Sequence, residues 1–207
     1  MQDFLRNFDS TFSAVYTYVS VFYRDNDMAH SMSHVKRVLS NIDTIVKNTQ
    51  QIDKDDVAVC IAKLAALCHD MKQDKSSRGK DVVNSAKMFR NYFMNELPQE
   101  VVDRVYDCII KSAYEHWNDV PVHEKFSNIE IALLHDADML DSIGAHGIGR
   151  TFMYGGAHNI DFDGTVSHFY AKLLHVKDTL VFDASKKLAE SAQTRMEVFL
   201  SWLKLEH

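Results

Sequence analysis

Proline and glycine are scarce in this chain. Together they account for 2 and 7 of 207 residues, where average usage gives roughly 25. Few breakers mean few tight turns, which excludes a sandwich or barrel of short strands and favours long helices. Cysteine is also sparse. Cys60, Cys68 and Cys108 are odd in number and lie inside apolar helical patterns, so they read as reduced thiols of a cytoplasmic protein and not as a disulfide framework. No apolar run approaches the ~18 residues of a membrane span, and Met1-Gln2-Asp3-Phe4 lacks the basic start of a secretory leader. Excess positive charge is missing too. The formal charge is −6 and the pI about 6.0, which speaks against bulk nucleic-acid binding. It leaves room for a small phosphorylated substrate, which needs only a local basic pocket.

Histidine is abundant, with 11 in the chain. One of them ends Leu205-Glu206-His207, which has the look of a tag remnant and is set aside. Apolar residues recur in steps of three and four at Phe4, Phe8, Phe12, Val15, Val19 and Phe22, one face of a first helix. This aromatic helix is compatible with core packing or with the face of a homodimer. After a polar gap at 24–33, Val35, Val38, Leu39, Ile42, Ile45 and Val46 predict a second helix. Asp53 to Asp56 supply a cap and acidic first turn for a third, running to Cys68-His69-Asp70. Residues 72–80 form a polar loop, and helices follow at about 81–95, 102–113 (after Pro98) and 126–142. Six of the seven glycines fall between 144 and 164, which predicts a region of tight turns. The last helical stretch covers about 165–204, broken near Phe182-Asp183. The expectation is one all-α domain over 1–204, a helical bundle with its motif-bearing core at about 25–156.

His69-Asp70 closes an otherwise apolar helix. An ionised carboxylate is almost never buried unpaired, and an adjacent imidazole and carboxylate can ligate a divalent metal. The alternative for the dipeptide alone is a helix C-terminus stabilised by a histidine. His34 opens the second helix and Asp138 lies on the sixth. Mixed nitrogen and oxygen ligands from three helices suit Mn²⁺, Fe²⁺, Zn²⁺, Co²⁺ or Ni²⁺.

These residues resemble the HD superfamily of metal-dependent phosphohydrolases, whose pattern is a His, a His-Asp pair and a distant Asp. The similarity runs through 33–38, 64–70 and above all Asp136-Ala137-Asp138-Met139-Leu140-Asp141-Ser142-Ile143-Gly144-Ala145, continuing to Gly156. His168-Phe169-Tyr170-Ala171-Lys172-Leu173-Leu174 extends it. The closer likeness is to the bacterial branch that includes nucleotide pyrophosphohydrolases. The resemblance implies the metal set His34, His69, Asp70 and Asp138, with Asp138 preferred over Asp136 and Asp141 as the second acid of an Asp-x-Asp. Manganese is favoured, with magnesium also considered. Asp141 shares a helix face with Asp138 and Arg37 with His34, so both are expected to support ligands from behind, Arg37 by holding Asp70 or Asp138. His30 and His116 are further candidates near the site.

Related alarmone hydrolases carry His-Asp-x-x-Glu-Asp. Here the string is His69-Asp70-Met71-Lys72-Gln73-Asp74. Glutamine takes no proton from water, so Asp74 becomes the candidate base. Lys75 and Arg150 are the candidate phosphate ligands, suited to electrostatic stabilisation of phosphoryl transfer. The expected reaction is attack of a metal-activated water on a nucleotide, with a nucleoside triphosphate cut to monophosphate and pyrophosphate. The alternatives are a 5′-nucleotidase, a cyclic-nucleotide phosphodiesterase, an alarmone hydrolase, or a non-catalytic metal or nucleotide sensor.

Overall fold

The computed structural model describes residues 1–24, 26, 28–50, 52–53, 56–71, 81–117 and 120–206. All regular structure among them is helical. The first expected helix is two: α1 (Gln2–Arg6) and α2 (Phe8–Val19) part at Asn7, whose amide donates to the Asp3 carbonyl. The polar gap holds two single 3₁₀ turns, at Phe22–Arg24 and Met28–His30. Next comes α3 (Met32–Lys47), which buries Val35, Val38, Ile42, Ile45 and Val46 along one stripe. Asp56 caps α4 (Val57–Cys68) by accepting the Ala58 N–H at 2.8 Å.

Helix α4 is buried nearly all round, from Ala58 to Cys68, and so forms the centre of the larger core. Two further helices cover it, α5 (Asp81–Phe93) and α6 (Gln99–Ser112), the latter entered through Pro98. The short α7 (Tyr114–Trp117) and α8 (Val122–Ser127) lead to α9 (Ile129–Asp141). The break at Asn128 divides what periodicity reads as one helix. Helix α9 is as central as α4, burying Ile131 to Ala137 without a polar face.

The glycine-rich stretch is a correction to the sequence expectation. It forms a helix, α10 (Gly144–Ala157). Two of its glycines serve close approach: a Cβ on Gly147 would stand 2.2 Å from the Ser142 carbonyl oxygen, and one on Gly155 2.3 Å from the Thr165 hydroxyl. Packing here outweighs local propensity. Then follow α11 (Phe162–Ala171), a 3₁₀ turn at Leu173–His175, α12 (Val176–Thr179) and α13 (Asp183–Leu205).

Two apolar clusters result. The larger draws on α1 to α7 and α9; the smaller gathers Met139, Ile143, Phe169, Leu173, Val176, Leu180, Ala189, Met196 and Leu200. They meet along α9, where Leu140 packs against both. No helix among the described residues is long and apolar enough to cross a membrane.

Candidate metal centre

The site forms where the two clusters meet, at the ends of three helices. His34 comes from the first turn of α3, His69 and Asp70 from the end of α4, and Asp138 from the last turn of α9. The structure brings all four together. His34 Nε2 is 3.1 Å from His69 Nε2, 3.4 Å from Asp70 Oδ2 and 3.4 Å from Asp138 Oδ1. His69 Nε2 is 3.4 Å from the same Asp70 oxygen and 3.9 Å from the Asp138 oxygen. Asp70 and Asp138 keep part of their side chains open to solvent, 17% and 27%, so the cluster faces outward through its carboxylates.

The other ring nitrogens are taken. His34 Nδ1 donates to Asp141 Oδ2 at 2.7 Å, and His69 Nδ1 donates to the Ala66 carbonyl at 2.9 Å. These partners only accept, so each neutral imidazole directs a bare Nε2 lone pair inward. Two lone pairs 3.1 Å apart, with two carboxylates beside them, repel one another unless a positive charge stands between. The donor set therefore fits a divalent cation. Ligand atoms ~2.0–2.3 Å from a cation lie roughly 3–4 Å from each other, as these do.

The charges respond to one another. Burial by itself lowers the His34 pKa, but the hydrogen bond to Asp141 and the nearby Asp70 carboxylate outweigh that and raise it. Burial would raise Asp70, yet the neighbouring imidazoles of His69, His34 and His30 hold its carboxyl well below the usual range. For Asp141 burial is again overcome, by the His34 and Arg37 hydrogen bonds and the Arg150 charge, and the carboxyl stays well below its ordinary value.

Asp141 is a buried hub. Arg37 donates to it through Nε at 2.6 Å and Nη2 at 3.0 Å, and Arg150 through Nη1 at 2.8 Å. Arg37 was expected to hold Asp70 or Asp138; it reaches Asp141 instead, because both face the same groove between α3 and α9. Arg150, expected at a phosphate, also gives Nε to the Ala29 carbonyl at 2.8 Å. It ties the 28–30 turn to Asp141. His30 lies in that turn, its ring 6.2 Å from His34 and 5.8 Å from Tyr154, which stacks on His158. His116 sits on α7 with Nε2 buried and unpaired among the described residues. Asp74 and Lys75 lie outside the described residues, as do Gln73 and the other basic residues of 72–80.

The three acids of the last motif separate cleanly. Asp138 faces the two histidines. Asp136 is fully buried and caps: it accepts the Val181 and Phe182 N–H groups ahead of α13. Burial pushes its pKa up to about 6 despite those bonds. Asn26 was not anticipated. Its amide donates to the Asp70 carbonyl at 2.8 Å and to the His30 carbonyl at 3.2 Å, and Tyr23 bonds the Leu67 carbonyl at 2.8 Å. Both fix the end of α4 that carries His69-Asp70. A lone Asn in a polar gap leaves no periodic signal to find.

A histidine, a His-Asp pair and a distant aspartate brought together on an all-α scaffold define a class. The chain belongs to the HD superfamily of metal-dependent phosphohydrolases. It is 30% identical over 193 residues to the uncharacterized protein YpgQ of Bacillus subtilis (strain 168), a match covering 90% of this chain and 89% of YpgQ. The crystal structure of Bacillus subtilis YpgQ in complex with ADP matches it with a TM-score of 0.70 and 26% identity, over 94% of this chain and 97% of the other. An HD-superfamily hydrolase from Bacillus thuringiensis matches with a TM-score of 0.68 and 25% identity, over 96% and 97%. No protein-family model matches the chain. HD-domain hydrolases use divalent metals.

Proposed function

We propose that the protein hydrolyses a nucleotide, cutting a nucleoside triphosphate and water to a monophosphate and pyrophosphate. The observation that carries this reading is the pair of inward Nε2 atoms 3.1 Å apart, each with its Nδ1 engaged as a donor. The likeness to YpgQ, crystallised with ADP, supports a nucleotide as the ligand.

His34, His69, Asp70 and Asp138 hold the cation in this reading, with Mn²⁺ favoured by the mixed nitrogen and oxygen donors. The cation supplies Lewis acidity that makes a water more acidic and offsets phosphoryl charge. Asp141, held by Arg37 and Arg150, keeps His34 in the tautomer that presents Nε2. Asp74 takes the proton of the attacking water, and Lys75 meets a phosphate oxygen. The bond from the α-phosphorus to its bridging oxygen breaks, and pyrophosphate leaves. Arg150 has both Nε and Nη1 engaged within the protein, so we assign it to positioning rather than to phosphate contact.

The test is a screen of nucleoside tri-, di-, mono- and cyclic phosphates with Mn²⁺, Mg²⁺, Co²⁺ and Ni²⁺, products being separated by ion-exchange chromatography. Monophosphate and pyrophosphate in equal amounts are expected. Orthophosphate release from monophosphates alone would replace this reading by a nucleotidase, and no turnover of any compound would leave a sensor.

A further inference from the structure

A cavity of about 420 Å³ opens on the flank of Asp141, and its walls include none of His34, His69, Asp70 or Asp138. It is bounded by Arg37 and Asn41 of α3, Asp141 at the end of α9, Gly144 and His146 at the start of α10, and Arg195 of α13. Asp141 is the one acid among these lining residues, and its oxygens are filled. One accepts Arg37 Nε; the other accepts Arg37 Nη2, His34 Nδ1 and Arg150 Nη1. Arg37 and Arg195 are the two cationic side chains of this wall against that single carboxylate, so the wall keeps a net positive charge to match.

The donors left over point to what would match it. Arg37 bonds Asp141 through Nε and Nη2, which leaves Nη1 uncommitted among the described residues. Arg195 makes a 3.2 Å bond from Nη1 to the neutral Ser191 hydroxyl and has no carboxylate partner among the described residues. His146, exposed on the same rim, adds a third donor. Guanidinium groups from two helices, Nη1 of Arg37 and the fork of Arg195, face one another across a concave wall completed by Leu140, Ile143, Ala145 and Ala192, and such groups suit a phosphate. The volume falls in the range of small-ligand sites, ~300–1,000 Å³.

We propose that this cavity is a second ligand site, separate from the metal centre, for a small phosphate-bearing anion. Arg37 is shared between the two. An anion that engages Nη1 acts on the guanidinium that holds Asp141, and through Asp141 on the orientation of His34.

The experiment removes the metal centre first, so that the result is independent of the proposed reaction. Orthophosphate, pyrophosphate and ADP are titrated calorimetrically into the full chain carrying Asp138→Ala, with and without Arg195→Glu. The expected result is binding of at least one probe, weakened tenfold or more by Arg195→Glu and largely restored by Arg195→Lys. Arg195 is exposed, so its substitution should leave folding intact; circular dichroism checks this. Binding of either inorganic anion marks a free-anion site, and binding of ADP alone marks a site for nucleotide phosphates. Both outcomes support the proposal when Arg195→Glu weakens them. Binding of all three probes unchanged by Arg195→Glu, or no binding by the Asp138→Ala protein, overturns it.

Discussion

Asp141→Asn keeps the size of the hub and removes its charge. The wild-type carboxylate is 3% exposed and accepts four hydrogen bonds, three of them at Oδ2. An amide has one oxygen and one NH₂ group. In either orientation its NH₂ faces donors from Arg37, or from Arg37, Arg150 and His34 together. Breaking a buried charge pair from one side costs ~3–5 kcal/mol. The 27% exposure of the Arg37 side chain places the cost near the lower end. For a chain of this length ~2–4 °C of Tm follows each kcal/mol, so a fall of at least ~6 °C is expected in thermal denaturation. His34 also loses the acceptor that fixes its tautomer, and metal affinity should drop ~10–100-fold. The pH dependence adds an internal check. The folded pKa of Asp141 is depressed, so its stabilisation is complete above the unfolded value of about 3.9 and is lost as pH falls below it. The Tm gap between wild type and variant should narrow progressively as pH falls below ~4. Equal Tm and equal metal affinity, or a gap that goes on widening below pH ~4, would refute the reasoning.

Other perturbations separate the remaining parts. Manganese at a hundredfold excess over Kd should stabilise the native protein by ~2.7 kcal/mol, and His69→Ala or Asp138→Ala should abolish that rise in Tm along with turnover. Asp136→Ala leaves the Val181 and Phe182 N–H groups without their acceptor, a loss of ~1–3 kcal/mol in denaturant unfolding, with metal affinity unchanged. Because the folded pKa of Asp136 is raised to about 6, its ionisation opposes folding above that pH. Stability should therefore grow as pH falls from about 6 towards ~4, and Asp136→Asn should flatten this slope. Gly147→Ala drives a Cβ against the Ser142 carbonyl and should cost ~1–3 kcal/mol, with a loss of activity through displaced Arg150; unchanged melting would argue against a tight α9–α10 junction. Arg150→Met should lower kcat and metal affinity together, whereas a residue that only contacts phosphate would raise KM and spare the metal.

Much of the scaffold was readable because burial follows period. The stripe of α3, the Asp56 cap and the apolar run of α4 appear in the structure where spacing puts them, and the all-α class followed from the shortage of breakers. The convergence of His34, His69, Asp70 and Asp138 was legible through motif resemblance, not through spacing, since nothing local relates Asp138 to His34. Helix α10 was misread for a physical reason. Glycine ordinarily signals a turn, but Gly147 and Gly155 are glycine because a carbonyl and a hydroxyl stand where a Cβ would be. The partner of Arg37 was missed by one turn of α9: sequence indicates the face a side chain shares, while the atom it reaches depends on how two helices dock. Arg150 shows the same ambiguity, since an arginine suits a phosphate and a buried carboxylate equally well, and here two of its nitrogens bond the Ala29 carbonyl and Asp141.

The wiring of the Asp141 hub bears on when the protein becomes competent during its synthesis. His34 and Asp141 are 107 residues apart in the chain, and the Arg150 bond to Ala29 spans 121. No fragment ending before Arg150 contains the complete hub, and none beginning after Ala29 has that anchor. A nascent chain emerging at ~5–20 residues per second exposes His34, His69 and Asp70 several seconds before the aspartates that complete the centre. Until then its histidines are loose, low-affinity ligands for whatever ion is near. On the proposed reading, selection of a cation is deferred to the docking of α9 and α10 on α3, so that tight metal capture would report a finished fold.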